Sequence, residues 1–315
     1  MKKIVILIFA FGSFACENII YPELEQSLEQ YVVDAWLNNS PGSQKIFLSK
    51  SSDYFSIAFP TLLEGAEVYV IDEDGNRFDF EETDEGYVWG DSLSNSFLEV
   101  GTSYHLNVFV DGIRFSGTSI MNPVPPIDSI TFQYQEEDFF ITEEYYLAEF
   151  VAKDLLGVGD TYWIKAWKNG IYLNKPSEIN IAYDAGFSAG GNIDGQVFIQ
   201  PIQELINPFD PDDADEELVE PPYSIGDTAY VEIHSINQSA FYFLNEVKIQ
   251  TDRQGGFGAL FAAPFSNVST NLINEDLSSE IYPVGFFNVS SISSLEQVLT
   301  AEIAQQAKEE SKNKN

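Results

Sequence analysis

Cysteine is all but missing from this chain: Cys16 is its single thiol. An intrachain disulfide, a Cys-rich zinc site and a CxxC redox pair are therefore excluded. Basic residues are scarce as well, with 15 Lys and Arg against 50 Asp and Glu. A surface this acidic cannot replace the counterions of a phosphate backbone, so nucleic acid is excluded as a partner. Only two histidines are present, too few for a histidine-rich metal centre. No apolar run approaches the ~20 residues that cross a bilayer as a helix. Apolar and aromatic residues are plentiful, at 44% and 14%, so the chain has the means to bury a core and is not disordered.

The first fifteen residues read as an address. Lys2 and Lys3 precede an apolar stretch from Ile4 to Phe11, and small residues follow at Gly12, Ser13 and Ala15. That is a signal peptide over 1–15. Cys16 stands directly after Ala15, in an order that resembles the bacterial lipobox, with Ser13 where leucine is commoner. The expectation is that Cys16 is acylated, carrying palmitate or related chains. Each buried CH₂ adds ~0.8 kcal/mol of membrane affinity, so several chains hold the protein stably. Loss of both leader lysines leaves the mature chain still more acidic, so lipid rather than basic residues must attach it. Residues 16–30 are polar, contain Pro22, and read as the tether.

From Tyr31 onward apolar and polar residues alternate with period two, the mark of sheet with one buried face. Asp74-Gly75, Asp111-Gly112 and Asn169-Gly170 each separate two such runs and predict hairpins. Pro123, Pro125 and Pro126 break the pattern and place a boundary between a β-sandwich domain, 31–122, and a second β-rich domain, 127–294. Strands are expected at 127–134, 145–153, 196–200, 227–235 and 284–290. One packed helix is expected over 238–253, with Asn237 as cap and Gly255-Gly256 as stop. Residues 295–315 are expected to be a polar, frayed tail.

Within 31–122, the run Gly65 to Val70, then Asp74-Gly75, Gly86-Tyr87, Val100-Gly101 and Tyr104 to Leu106 resembles the carboxypeptidase regulatory-like, transthyretin-type sandwich. Its tyrosines are expected to bury their rings and turn a hydroxyl to backbone. Together with the lipobox, Tyr31 to Trp36, Leu48 to Ser51, Pro126 to Ile130 and Pro283 to Val289 make the chain similar to a Bacteroidota lipoprotein family, domain of unknown function 4249. That resemblance implies an outer-membrane lipoprotein working with a TonB-dependent β-barrel transporter. It carries over no catalytic residues.

Candidate sites are few. Gly186-Phe187-Ser188-Ala189-Gly190 matches the GxSxG nucleophile elbow, but glycine-rich sequence follows where a helix is needed, so a serine hydrolase at Ser188 is not expected. His105 and His234 sit on polar phases of separate strands and do not make a metal site. Asp210, Asp212 and Asp213 form the weak calcium candidate, oxygen-rich but without the EF-hand pattern. Trp163 and Trp167 alternate with Lys165 on one strand face and are the candidate ligand-binding residues, able to stack on sugar rings. The expected function is a lipid-anchored, non-catalytic binding protein of the outer membrane, accessory to TonB-dependent uptake, with no cofactor. The alternative is a carbohydrate-binding surface lipoprotein.

Overall fold

The computed structural model describes residues 29–51, 60–136, 144–191, 193–208, 222–252 and 266–314. The leader, Cys16, the tether up to residue 28 and the acidic segment with Asp210, Asp212 and Asp213 lie outside the described residues.

The fold is mainly β, with sandwich-like layers, as the alternation predicts. Nine strands make the first sheet: β1 (Tyr31–Asn38), β2 (Gln44–Lys50), β3 (Glu67–Asp72), β4 (Arg77–Thr83), β5 (Gly86–Trp89), β6 (Ser103–Val110) and β7 (Ile113–Ile120), joined by β14 (Leu272–Asn274) and β15 (Val284–Ser290). Its order is β14-β7-β6-β3-β4-β5-β2-β1-β15. The sheet curls around one core in which Val33, Ala35 and Leu37 of β1 meet Leu106, Phe115 and Phe287. The two predicted tyrosines behave as expected. Tyr87 and Tyr104 are each 1% exposed; the Tyr87 hydroxyl donates to Leu63 O and accepts from Ala66 N, both at 2.9 Å. The Tyr104 hydroxyl accepts from Glu99 N at 2.7 Å.

Strand β15 pairs in parallel with β1, Val33 opposite Gly285. Gly285 has φ +96°, and a Cβ there would fall 2.1 Å from Val33 O, so only glycine fits. This return of β14 and β15 to the first sheet means that residues 127–294 do not form one contiguous unit. The prolines mark where the chain leaves the first sheet, but pairing across some 250 residues leaves no local signature.

The second sheet has the order β11-β10-β13-β16, from β10 (Thr161–Lys168), β11 (Ile171–Leu173), β13 (Thr228–Ile236) and β16 (Ile292–Val298), with β12 (Asn180–Tyr183) also on β10. The ribbon β8 (Ile127–Gln135) and β9 (Tyr145–Ala152) covers its inner face, where Phe132 and Phe150 pack with Tyr162, Ile164, Val231 and Ile233. Three α-helices complete the described residues: α1 (Gln200–Glu204), α2 (Gln238–Thr251) and α3 (Ala301–Lys314).

Helix α2 lies where its apolar stripe predicts, burying Ala240, Phe241 and Leu244. Asn237 occupies the cap position without a side-chain cap bond. Its amide instead donates to Ser119 Oγ at 2.6 Å and Asn288 Oδ1 at 3.1 Å, tying the helix start to the first sheet. Two expectations fail. Residues 196–199 make only an isolated bridge at Val197, because the chain turns into α1 at Gln200, with Pro201, which has no ladder donor, in its first turn. Residues 295–315 are no frayed tail: they contain most of β16 and all of α3, whose Ala304 and Ala307 pack into the core. Small apolar residues spaced by three were outweighed in the sequence by the polar ones between them.

Candidate functional site

Alternation on β10 decides which side chains leave the core. Tyr162, Ile164 and Ala166 point inward, while Trp163, Lys165 and Trp167 stand half-buried on the outer face. The antiparallel register sets His234, Glu232 and Tyr230 of β13 opposite them, and Tyr172 of β11 opposite Trp167. Asp34 and Trp36 come from β1 of the other sheet: Trp36 meets Trp163 edge-on at 5.1 Å and stacks on Phe286 at 5.7 Å. The face is therefore composite, with a mixed set of charges over an aromatic floor.

The two predicted tryptophans have different surroundings. Trp163 belongs to the junction between the sheets, with the Lys165 ammonium 3.9 Å from its ring centre. Trp167 stacks on Tyr172 at 4.8 Å and tilts against Tyr230 at 5.2 Å, forming a separate aromatic strip.

Charges on this face are controlled by burial and by one another. Burial pushes the Lys165 amine down to about 8, against the pull of Glu232 and Asp34. Its ammonium makes no hydrogen bond or ion pair among the described residues beyond the contact with Trp163. Asp34 is exposed, yet the surrounding walls raise its carboxyl, with Lys165 partly opposing. His234, 5% exposed, is pushed down to about 4 by burial, with Lys165 adding to the effect and Glu232 opposing it. The neutral imidazole donates from Nε2 to Glu232 Oε2 at 2.8 Å, leaving Nδ1 3.3 Å from Ser290 Oγ. Burial alone would raise Glu232, but hydrogen bonds from His234 and Tyr230 hold it below the usual range. His234 is thus a structural residue, fully engaged.

A second polar cluster was not anticipated. Loops after β9, β12 and the glycine-rich run bring Asp154, Asp184 and Asp194 together, with one carboxylate oxygen of each within 4.8 Å of the others. Tyr162 Oη donates to Asp154 Oδ1 at 2.6 Å, and Gly195 N to Oδ2 at 3.0 Å. Gly159 N and Asp160 N donate to Asp184 Oδ1 at 2.7 and 3.1 Å, and Gly157 N to Asp194 at 2.8 Å. Burial, then the charges of Asp154, Asp184 and Asp194, pushes Asp160 up to about 6. Such an all-oxygen donor set has the chemistry of a hard divalent cation site. The spacing DLLGVGD at 154–160 was the available signal, but its partners at 184 and 194 are invisible without the fold.

The other sequence candidates stay apart. Ser188 is exposed, and the described residues that follow it are bends and turns rather than a helix. No described histidine bonds to it. His105 is on β6, its Nδ1 2.9 Å from Thr118 Oγ1, on a different sheet from His234. No helix among the described residues is long and apolar enough to cross a membrane.

Sheet, junction and composite outer face together define a mainly β protein that displays a fixed aromatic and charged surface. The family model for a domain of unknown function, DUF4249, matches residues 17–296, so the chain belongs to that family. No curated protein and no solved structure matches it.

Proposed function

We propose that the chain is a non-catalytic binding protein of the bacterial cell envelope, held at the outer membrane by acylated Cys16 and serving as an accessory subunit of a TonB-dependent uptake system. The observation that carries the binding part is the outer face of the second sheet. It carries half-buried aromatic rings and an ammonium without a hydrogen-bonded partner, set on regular strands. The anchor is supported by the lone thiol directly after the apolar leader. Fourteen residues separate Cys16 from β1, a tether that reaches at most about 50 Å when extended. The transporter partner rests on the resemblance to Bacteroidota envelope lipoproteins.

Palmitate labelling and envelope fractionation test the anchor: wild type labels and sediments with outer membrane, and Cys16→Ser does neither. Affinity purification from detergent-solubilised envelopes tests the partner, and a large β-barrel should accompany the protein. Labelling that persists in Cys16→Ser, or repeated purifications without a barrel, overturns the corresponding part.

A further inference from the structure

We infer that the outer face of the second sheet, completed by Asp34 from the first, is a binding site for an uncharged carbohydrate. The inference rests on the binding reading above but not on the anchor or the transporter.

The ligand class follows from what the face offers. Trp167, Tyr172 and Tyr230 form a half-buried aromatic strip on the outer face, a platform for the C–H face of a sugar ring. Lys165 and Trp167 are two residues apart on one strand face, so their Cα atoms stand about 7 Å apart. The ammonium leans the other way, over Trp163, so a ligand seated on the strip reaches it only by extending along the strand, as an oligosaccharide of two or three rings can. Lys165 offers three N–H donors and no hydrogen bond or ion pair uses them. Asp34 is close enough for Lys165 to pull its titration down without forming an ion pair, and its carboxylate, walled in and hydrogen-bonded by the Trp36 side chain, keeps further acceptor capacity on an exposed residue. An adjacent donor and acceptor match a pair of sugar hydroxyls, each of which can both accept and donate.

Charge separates the alternatives. An anion drawn to Lys165 would also face Asp34 and Glu232, on a chain of net charge −35. A cation would face the fixed ammonium that already covers Trp163. A neutral polyhydroxylated ring meets neither penalty. The site also has little left to rearrange, because Glu232 is held by Tyr230 and His234.

The test titrates the detergent-solubilised full chain with cellotriose, maltotriose, xylotriose and mannotriose, following tryptophan fluorescence, with trigalacturonate and chitosan trimer as charged comparators. At least one neutral trisaccharide should saturate, and bind more tightly than either charged trimer. Trp167→Ala and Lys165→Met should each weaken it about tenfold or more, and Asp34→Asn several-fold, a tenfold loss being ~1.4 kcal/mol. Absence of saturation by all four at about 10 mM overturns the inference, as does tighter binding of a charged trimer or unchanged affinity in the three variants. Circular dichroism checks that each variant is folded, and Lys165→Met, which keeps the stem, guards against a packing artefact. All three variants should still label with palmitate and still bring down the barrel. Loss of sugar binding with the barrel retained separates failure of this inference from failure of the transporter reading.

Discussion

Two polar clusters sit on the same second sheet unit and are built on opposite plans. The outer-face cluster mixes signs: Lys165 stands among Asp34, Glu232 and neutral His234, over aromatic rings. The loop cluster has one sign only: Asp154, Asp184 and Asp194 are restrained by backbone amides and Tyr162, and the Asp160 carboxyl stands beside them under their charge. Regular strands hold the first, so its side chains have fixed spacing and a fixed face. Turns hold the second, and its charges are close because three loops converge. The difference teaches that burial acts in opposite directions. It keeps a base neutral down to about pH 4 in one cluster and lets an acid hold its proton up to about pH 6 in the other.

The comparison can be broken with pH, and the largest effect is expected at His234. Its folded pKa of about 4 lies below the ordinary 6.5. The unfolded chain therefore binds more protons between those values, and stability present above pH 6.5 is lost as pH falls toward 4. Full expression of that shift is about 3 kcal/mol. Urea unfolding of wild type and His234→Gln across pH 4 to 7 should show the gap between them narrowing or reversing toward pH 4. Parallel pH profiles contradict it.

Asp160 should behave with the opposite sign. Its folded pKa of about 6 lies above the ordinary 3.8, so the folded state is penalised above pH 6 and the penalty disappears as pH falls through 3.8. In the presence of a chelator, Asp160→Asn should be more stable than wild type at pH 7 by about 2 kcal/mol, discounted for partial exposure, and indistinguishable near pH 4. A destabilised variant at pH 7 would mean that the carboxylate is satisfied by a group other than its acidic neighbours.

A smaller effect sharpens the contrast within the loop cluster. Tyr162→Phe removes the hydroxyl that donates to buried Asp154 and should cost about 1 to 2 kcal/mol in thermal unfolding. An exposed contact gives the floor of the scale. Asp111 accepts from Tyr31 and pairs with Lys50 at 3.4 Å on the surface, and Asp111→Asn should leave the melting temperature unchanged within error.

How much of this was legible in the sequence depends on how local the cause is. Asp111-Gly112 and Asn169-Gly170 were readable as hairpins because both residues of each pair take positive φ, 51° and 79°, then 51° and 80°, which few other dipeptides tolerate. Trp163, Lys165 and Trp167 were readable as one face because strand periodicity is two. Asp34 and Trp36 could not be added to that face, since β1 reaches it only through the junction of the two sheets. The parallel β1–β15 pairing and the meeting of Asp154 with Asp184 and Asp194 were hidden for the same reason. Long-range convergence is fixed by packing, not by nearest neighbours.

The claim at the centre of the account is that the mixed-charge aromatic face is the working surface. Hydroxyl-radical footprinting tests it most directly, comparing the protein in intact envelopes with the purified chain. Trp167, Tyr172 and Tyr230 should be oxidised less in the envelope, where the face is occupied. Equal oxidation of these three in both samples, with protection confined to other surfaces, would contradict it.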